Sequence, residues 1–96
     1  MSKITLEDLF SLKGKVAMVT GGARGIGKGV AEHLAAVGAD IVILDVLLDA
    51  ALITAQEFNE TYGVRTLAMY CDVTDPDSVE KCIREAAGQM GTLDLL

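Results

Sequence analysis

Two hydrophobic periods alternate along this chain. Short, nearly continuous apolar runs stand at Val16 to Thr20, at Ile41 to Leu44 and at Thr66 to Cys71. Runs of that length without a polar alternation suit strands buried on both faces, as in a parallel sheet. Between them the apolar positions recur with helical spacing. Val30, Ala31, Leu34 and Val37 form one stripe, in a helix expected from Lys28 and stopped by Gly38. Leu48, Ala51, Leu52, Ala55, Phe58 and Tyr62 form a second stripe, stopped by Gly63. Val79, Cys82, Ile83, Ala86 and Met90 form a third, with Pro76 at the first helical position, Asp75 or Thr74 as cap, and Gly91 as stop. Leu93 to Leu96 opens like a fourth strand, and Thr5 to Phe10 fits one helical turn with Thr5 and Asp8 spaced as a capping box. The order β-α-β-α-β-α-β with short connections predicts a doubly wound parallel sheet of about four strands and three helices.

Composition narrows the class. A chain of 96 residues with 51% hydrophobic and 23% charged residues can build one modest core, so residues 1–96 are expected to be a single domain. The formal net charge of −6 argues against nucleic acid or an anionic membrane as a partner. Any anion site must then be made locally. Cys71 and Cys82, eleven positions apart with no C-x-x-C, read as reduced, buried cysteines of a cytoplasmic protein. Lys3, Glu7 and Asp8 interrupt the N-terminus, so it does not read as a signal peptide, and no apolar run is long enough for a membrane span. No set of metal ligands stands out.

The chemistry concentrates after the first strand, where VAMVT runs into GGARGIG, four glycines in seven positions. A strand that ends in a glycine-rich turn and opens a helix is a phosphate-binding device: the helix N-terminus offers free N–H groups and the positive end of its dipole. Gly21 is expected to turn the chain out of the strand, Gly25 to let the backbone approach a pyrophosphate, and Gly27 to let the helix pack on the sheet. Ile26 is expected to point into the core and fix the turn. Asp45 lies 24 residues beyond Gly21 at the tip of the second strand, where a carboxylate accepts from ribose hydroxyls and repels a 2′-phosphate. Val46, Leu47 and Leu48 bring no positive charge, so NAD is favoured over NADP. Arg24 in the turn is the counterweight, since a guanidinium pairs well with a 2′-phosphate. The stretch is also one residue short of a P-loop: Gly29 stands where that motif needs a hydroxyl for Mg²⁺, which counts against phosphate hydrolysis.

TGGARGIG after VAMV, ILD at the end of the second strand, CDVTD after the third and GTLDLL at the close resemble the short-chain dehydrogenases/reductases, over the chain from about Leu12 to Leu96. The resemblance implies a Rossmann-type sheet, incomplete in these residues, and a place for Asp72 and Val73 beside the adenine of the cofactor. It also implies an oxidoreductase that moves a hydride between a nicotinamide and an alcohol or ketone, with sugar and polyol dehydrogenases the most similar at the start. An intact enzyme of this kind is expected to act on a small molecule and to be a homo-oligomer. The family's catalytic Ser and Tyr-x-x-x-Lys are not found here: Thr66 and Thr74 stand four residues after Tyr62 and Tyr70. The chain is therefore expected to be the N-terminal cofactor-binding part of a longer enzyme, inactive alone and with no catalytic residue of its own. A stand-alone, non-catalytic dinucleotide-binding module is the alternative. A methyltransferase on a similar sheet accounts less well for the glycine spacing and for CDVTD.

Overall fold

From Ser11 to Asp94, the residues that the structure (a computed structural model) describes, three parallel strands alternate with three helices. They are β1 (Val16–Thr20), α1 (Gly25–Ala36), β2 (Asp40–Asp45), α2 (Leu48–Tyr62), β3 (Thr66–Tyr70) and α3 (Pro76–Met90). The sheet order is β1-β2-β3, with Val16 level with Asp40 and Ile41 level with Thr66. The parallel α/β arrangement expected from the alternating periods, and the Rossmann-type sheet that the resemblance implies, are present in incomplete form. The turn expected at Thr5 to Phe10 lies outside the described residues, as do the last two positions of the expected fourth strand. Leu93 and Asp94 belong to no strand. Asp94 still lies against β1: its N–H donates to the Val16 carbonyl at 2.8 Å, and its Oδ2 accepts from the Val16 N–H at 2.9 Å.

The central strand β2 and the start of β1 are buried on both faces because each crossover lays a helix on the sheet, whereas β3 is only half-buried and ends in exposed Tyr70. Ala17, Ile41 and Ile43 pack with Ala31 and Ala35 of α1 and with Ala51, Ala55 and Phe58 of α2. The alternate residues Val16, Met18, Val42 and Leu44 pack with Cys82, Ala86 and Met90 of α3. Period-two alternation in the strands thus feeds two separate cores, one above and one below. Cys71 and Cys82 are free and buried, and burial, then the neighbouring Cys71, pushes the Cys82 thiol up to about 11. Asp75 caps α3 by accepting from the Asp77 N–H at 3.0 Å, with Pro76 next to it, as the sequence predicts.

The helical stripes are narrower than their apolar spacing predicts. Val30 is 50% exposed and Ile83 is 37% exposed. Both overlook the edge of β1 that has no strand partner among the described residues, where Val30 and Leu34 from one layer and Val79 and Ile83 from the other line an apolar groove of about 350 Å³ with Met18 and Thr20. Helix α1 starts at Gly25, three residues before the expected Lys28. On α2, Leu48 and Leu52 are exposed, and Thr54 takes a core position between Ala51 and Phe58.

Phe58 is 1% exposed and is the largest fully buried side chain among the described residues. Phe58→Ala should cost about 3–5 kcal/mol in denaturant unfolding. Ile53→Ser, at a position 63% exposed, should stay within about 0.5 kcal/mol of the parent.

Candidate cofactor-binding site

In a parallel sheet every strand ends on the same side. The C-terminal tips of β1, β2 and β3 therefore bring the glycine turn, Asp45 and Asp72 into one row, with neighbouring strands about 4.8 Å apart. The Gly21 N–H donates to the Leu44 carbonyl at 2.7 Å and ties the turn to β2. Gly21 and Gly25 both have φ +65°, a left-handed conformation that L side chains rarely adopt. Gly27 is required for another reason. A Cβ there would stand 2.7 Å from the Gly21 carbonyl carbon, so the helix lies directly on the backbone that leaves β1.

Ile26 does not point into the core: it is 89% exposed. The physical reason is the helix phase. Gly27, Ala31 and Ala35 recur every four residues on the face that meets the sheet, which leaves Ile26 and Val30 on a neighbouring, uncovered stripe. Arg24 is the residue before the helix; it is extended, exposed, and makes no side-chain cap. The first-turn N–H groups of α1 thus have no partner within the helix and none from the cap. Helix α1 also has no acid in its first turn, whereas α2 has Asp49 and α3 has Asp77 behind its Asp75 cap. Its positive end is the one left uncompensated. Lys28, the lysine of the near-miss P-loop, pairs with Glu57 at 3.1 Å, about 13 Å along α2 from that helix's start.

Asp45 joins the turn to β2. Its Oδ2 accepts from the Ala23 N–H at 3.2 Å and its Oδ1 from the Leu47 N–H at 2.9 Å. On the other side, the Thr54 hydroxyl donates to the Ala23 carbonyl at 2.7 Å. Thr54 was missed by sequence reasoning, although the stripe Ala51, Thr54, Ala55, Phe58 carries the signal: a hydroxyl at an apolar position. Asp72 follows β3, with its Oδ1 accepting from the Thr74 hydroxyl at 2.6 Å and from the Thr74 N–H at 2.9 Å. Those two bonds, the hydroxyl first, hold its carboxyl below the ordinary 3.8. Val73 beside it is 58% exposed. Tyr62 lies at the far end of α2, away from the strand tips, and burial, reinforced by Glu32, raises its phenol. His33 is exposed, and its Nδ1 meets the Gly29 carbonyl one turn back. Among the described residues no group of His, Cys, Asp and Glu could hold a metal ion, and no helix is long and apolar enough to cross a membrane.

This geometry has counterparts among known proteins. A model of the short chain dehydrogenase family matches residues 15–96. The sorbose reductase SOU1 of Candida albicans is 49% identical over 88 residues, which are 92% of this chain and 31% of the relative. An NAD-dependent glycerol dehydrogenase of Listeria innocua is 39% identical over 91% of this chain and 33% of its own length. The crystal structure of L-sorbose reductase from Gluconobacter frateurii, complexed with NADPH and L-sorbose, superposes with a TM-score of 0.85 at 34% identity, over 90% of this chain and 33% of that one. The chain spans about a third of the length of these relatives.

Two outcomes test the local geometry. Because the Asp72 carboxyl is held low, its contribution to the loop is complete above pH 3.8 and is lost as the pH falls through the lowered value. In a carboxyl NMR titration, Thr74→Ala should return Asp72 towards its ordinary midpoint. In thermal unfolding, Gly27→Ala should destabilise the fold, while Gly29→Ala, with nothing within 4 Å of the new methyl, should stabilise the helix by about 0.5–1 kcal/mol.

Proposed function

The chain belongs to the short-chain dehydrogenase family, and from that premise we propose that residues 1–96 form one domain that holds the adenosine and pyrophosphate of NAD in a longer oxidoreductase. The observation that carries this reading is the row along the strand tips: an uncapped helix end closed by glycines, then the Asp45 and Asp72 carboxylates. The helix end fits the group, since its first turn has neither a side-chain cap nor an acid to meet its N–H groups. Gly25, Ile26 and Gly27 line the pyrophosphate in this proposal, through N–H groups and a dipole that need no lysine, while Gly21, its own N–H bonded to Leu44, shapes the turn beside it. Asp45 accepts from the ribose hydroxyls, and Asp72 with Val73 borders the adenine, whose amino group a carboxylate can receive.

NAD is the proposed cofactor, with NADP as the alternative. The Asp45 carboxylate disfavours a 2′-phosphate, and exposed Val46 and Leu47 offer no cation nearby. Arg24, exposed at the mouth of the turn, is the feature that favours NADP. Relatives carry either cofactor in their names, NAD for the glycerol dehydrogenase and NADPH for the L-sorbose reductase complex.

The intact protein is proposed to oxidise an alcohol or reduce a ketone, with the bound nicotinamide accepting or donating the hydride. A sugar or polyol as substrate is supported by the names of the sorbose reductases and the glycerol dehydrogenase. No catalytic residue is assigned within residues 1–96, which are proposed to be inactive alone. The apolar groove along β1 is the seat of further strands in this reading. A homo-oligomeric intact enzyme belongs to the same proposal, as does a reducing, cytoplasmic setting, which rests on two free, buried cysteines.

The test is a titration of the chain with NADH and with NADPH, followed by nicotinamide fluorescence. NADH should bind more tightly. Asp45→Asn, which keeps an acceptor for the Ala23 N–H but removes the charge, should narrow that preference by about tenfold. No binding of either cofactor to the folded chain at millimolar concentration would sink the reading, and a preference for NADPH would give Arg24 the deciding role.

A further inference from the structure

We propose that Thr54 is a positioning residue for the phosphate-binding turn, acting through the peptide group that follows Ala23. The inference rests on the reading of that turn as the pyrophosphate site, and it concerns what holds the turn in shape. Among the described residues Thr54 is the one buried polar side chain, 2% exposed, in a core otherwise made of apolar residues. Its hydroxyl donates to the Ala23 carbonyl at 2.7 Å, across 31 positions of sequence. Ala23 is itself 3% exposed, and its N–H donates to Asp45 Oδ2. The turn is therefore clamped from two elements: β2 holds the peptide before Ala23, and α2 holds the peptide after it.

The second clamp has a directional consequence. The peptide that carries the Ala23 carbonyl also carries the Arg24 N–H, and it is trans. In a trans peptide the C=O and N–H point in opposite directions. With the carbonyl aimed inward at Thr54, the Arg24 N–H is aimed outward, to the exposed side on which Arg24 and Gly25 lie. The torsions of Ala23 and Arg24 set the direction of this peptide, and the Thr54 hydroxyl is the side-chain donor that meets its carbonyl and fixes it there. Removal of the hydroxyl leaves a buried carbonyl without a donor, and the peptide gains by rotating towards water.

Thr54→Val and Thr54→Ser separate this role from simple packing. Valine keeps the shape and loses the donor; serine keeps the donor and loses a buried methyl. Amide hydrogen exchange at Ala23, NADH affinity and the melting temperature are measured on the whole chain. Thr54→Val should speed exchange of the Ala23 N–H and weaken NADH binding by about tenfold. Thr54→Ser should melt lower than the parent yet keep the parent's exchange at Ala23 and its NADH affinity. Parent-like exchange in Thr54→Val, or a serine variant as loose at Ala23 as the valine one, overturns the proposal. Should the valine variant not fold, the serine variant decides, since a loosened turn with the donor retained also overturns it. If the parent binds no dinucleotide, the functional reading fails while the exchange at Ala23 still decides the role of Thr54.

Discussion

The first turn of α1 rests on the carbonyl of Gly21, and that approach of backbone to backbone governs the site. No side chain fits between them at Gly27, so the helix begins close above the tip of β1 and its phase is set from there. The phase brings Gly27, Ala31 and Ala35 to the sheet, lets a helix of small residues lie close to β1 and β2, and turns Ile26 and Val30 outward. It also holds the unpartnered N–H groups of the helix over the strand tips, where Asp45 and Asp72 stand in the neighbouring rows. In a chain with a formal charge of −6, an anion has to be met by such dipoles, since few cations stand nearby.

Polar groups at this end of the sheet act as fasteners. Asp45 bridges β2 and the turn, Thr54 bridges α2 and the turn, and Asp72 folds its own loop around Thr74. The opposite end of the sheet is fastened differently. Asp40 holds the Arg65 N–H and guanidinium, and Arg65 reaches the Met90 carbonyl at the end of α3. Asp94 holds the first residue of β1 from the side that has no strand partner among the described residues. Both ends are therefore tied across elements, below by the Asp40–Arg65 ion pair and its bridges, above by the hydrogen bonds that Asp45 and Thr54 make with the turn. A glycine-rich turn gains little from its own conformational preferences, and fasteners from two other elements offset that entropy.

The apolar edge of β1 is the largest departure from a closed fold. Met18 and Thr20 of the strand and Val30, Leu34, Val79 and Ile83 of the flanking helices converge on one groove. Among the described residues no strand separates the two cores there. This is why the helical stripes read wider in sequence than they bury in structure: part of each stripe is aimed past the sheet.

Much of this protein was legible from residues close in sequence. The two hydrophobic periods determined the order of strands and helices, and the runs buried on both faces determined a parallel sheet, because both are local consequences of where side chains point. The glycine spacing and the acids after the strands determined that the turn, Asp45 and Asp72 share one end of the sheet, since parallel strands must end on one side. The tertiary structure alone decided three things. It decided that Ile26 faces outward, because helix phase depends on how closely Gly27 meets Gly21. It decided that Thr54 serves the turn and that Asp94 serves β1, through hydrogen bonds that span 31 and 78 positions. Such partners are set by how packed elements lie against one another, and periodicity along the chain carries no record of that distance.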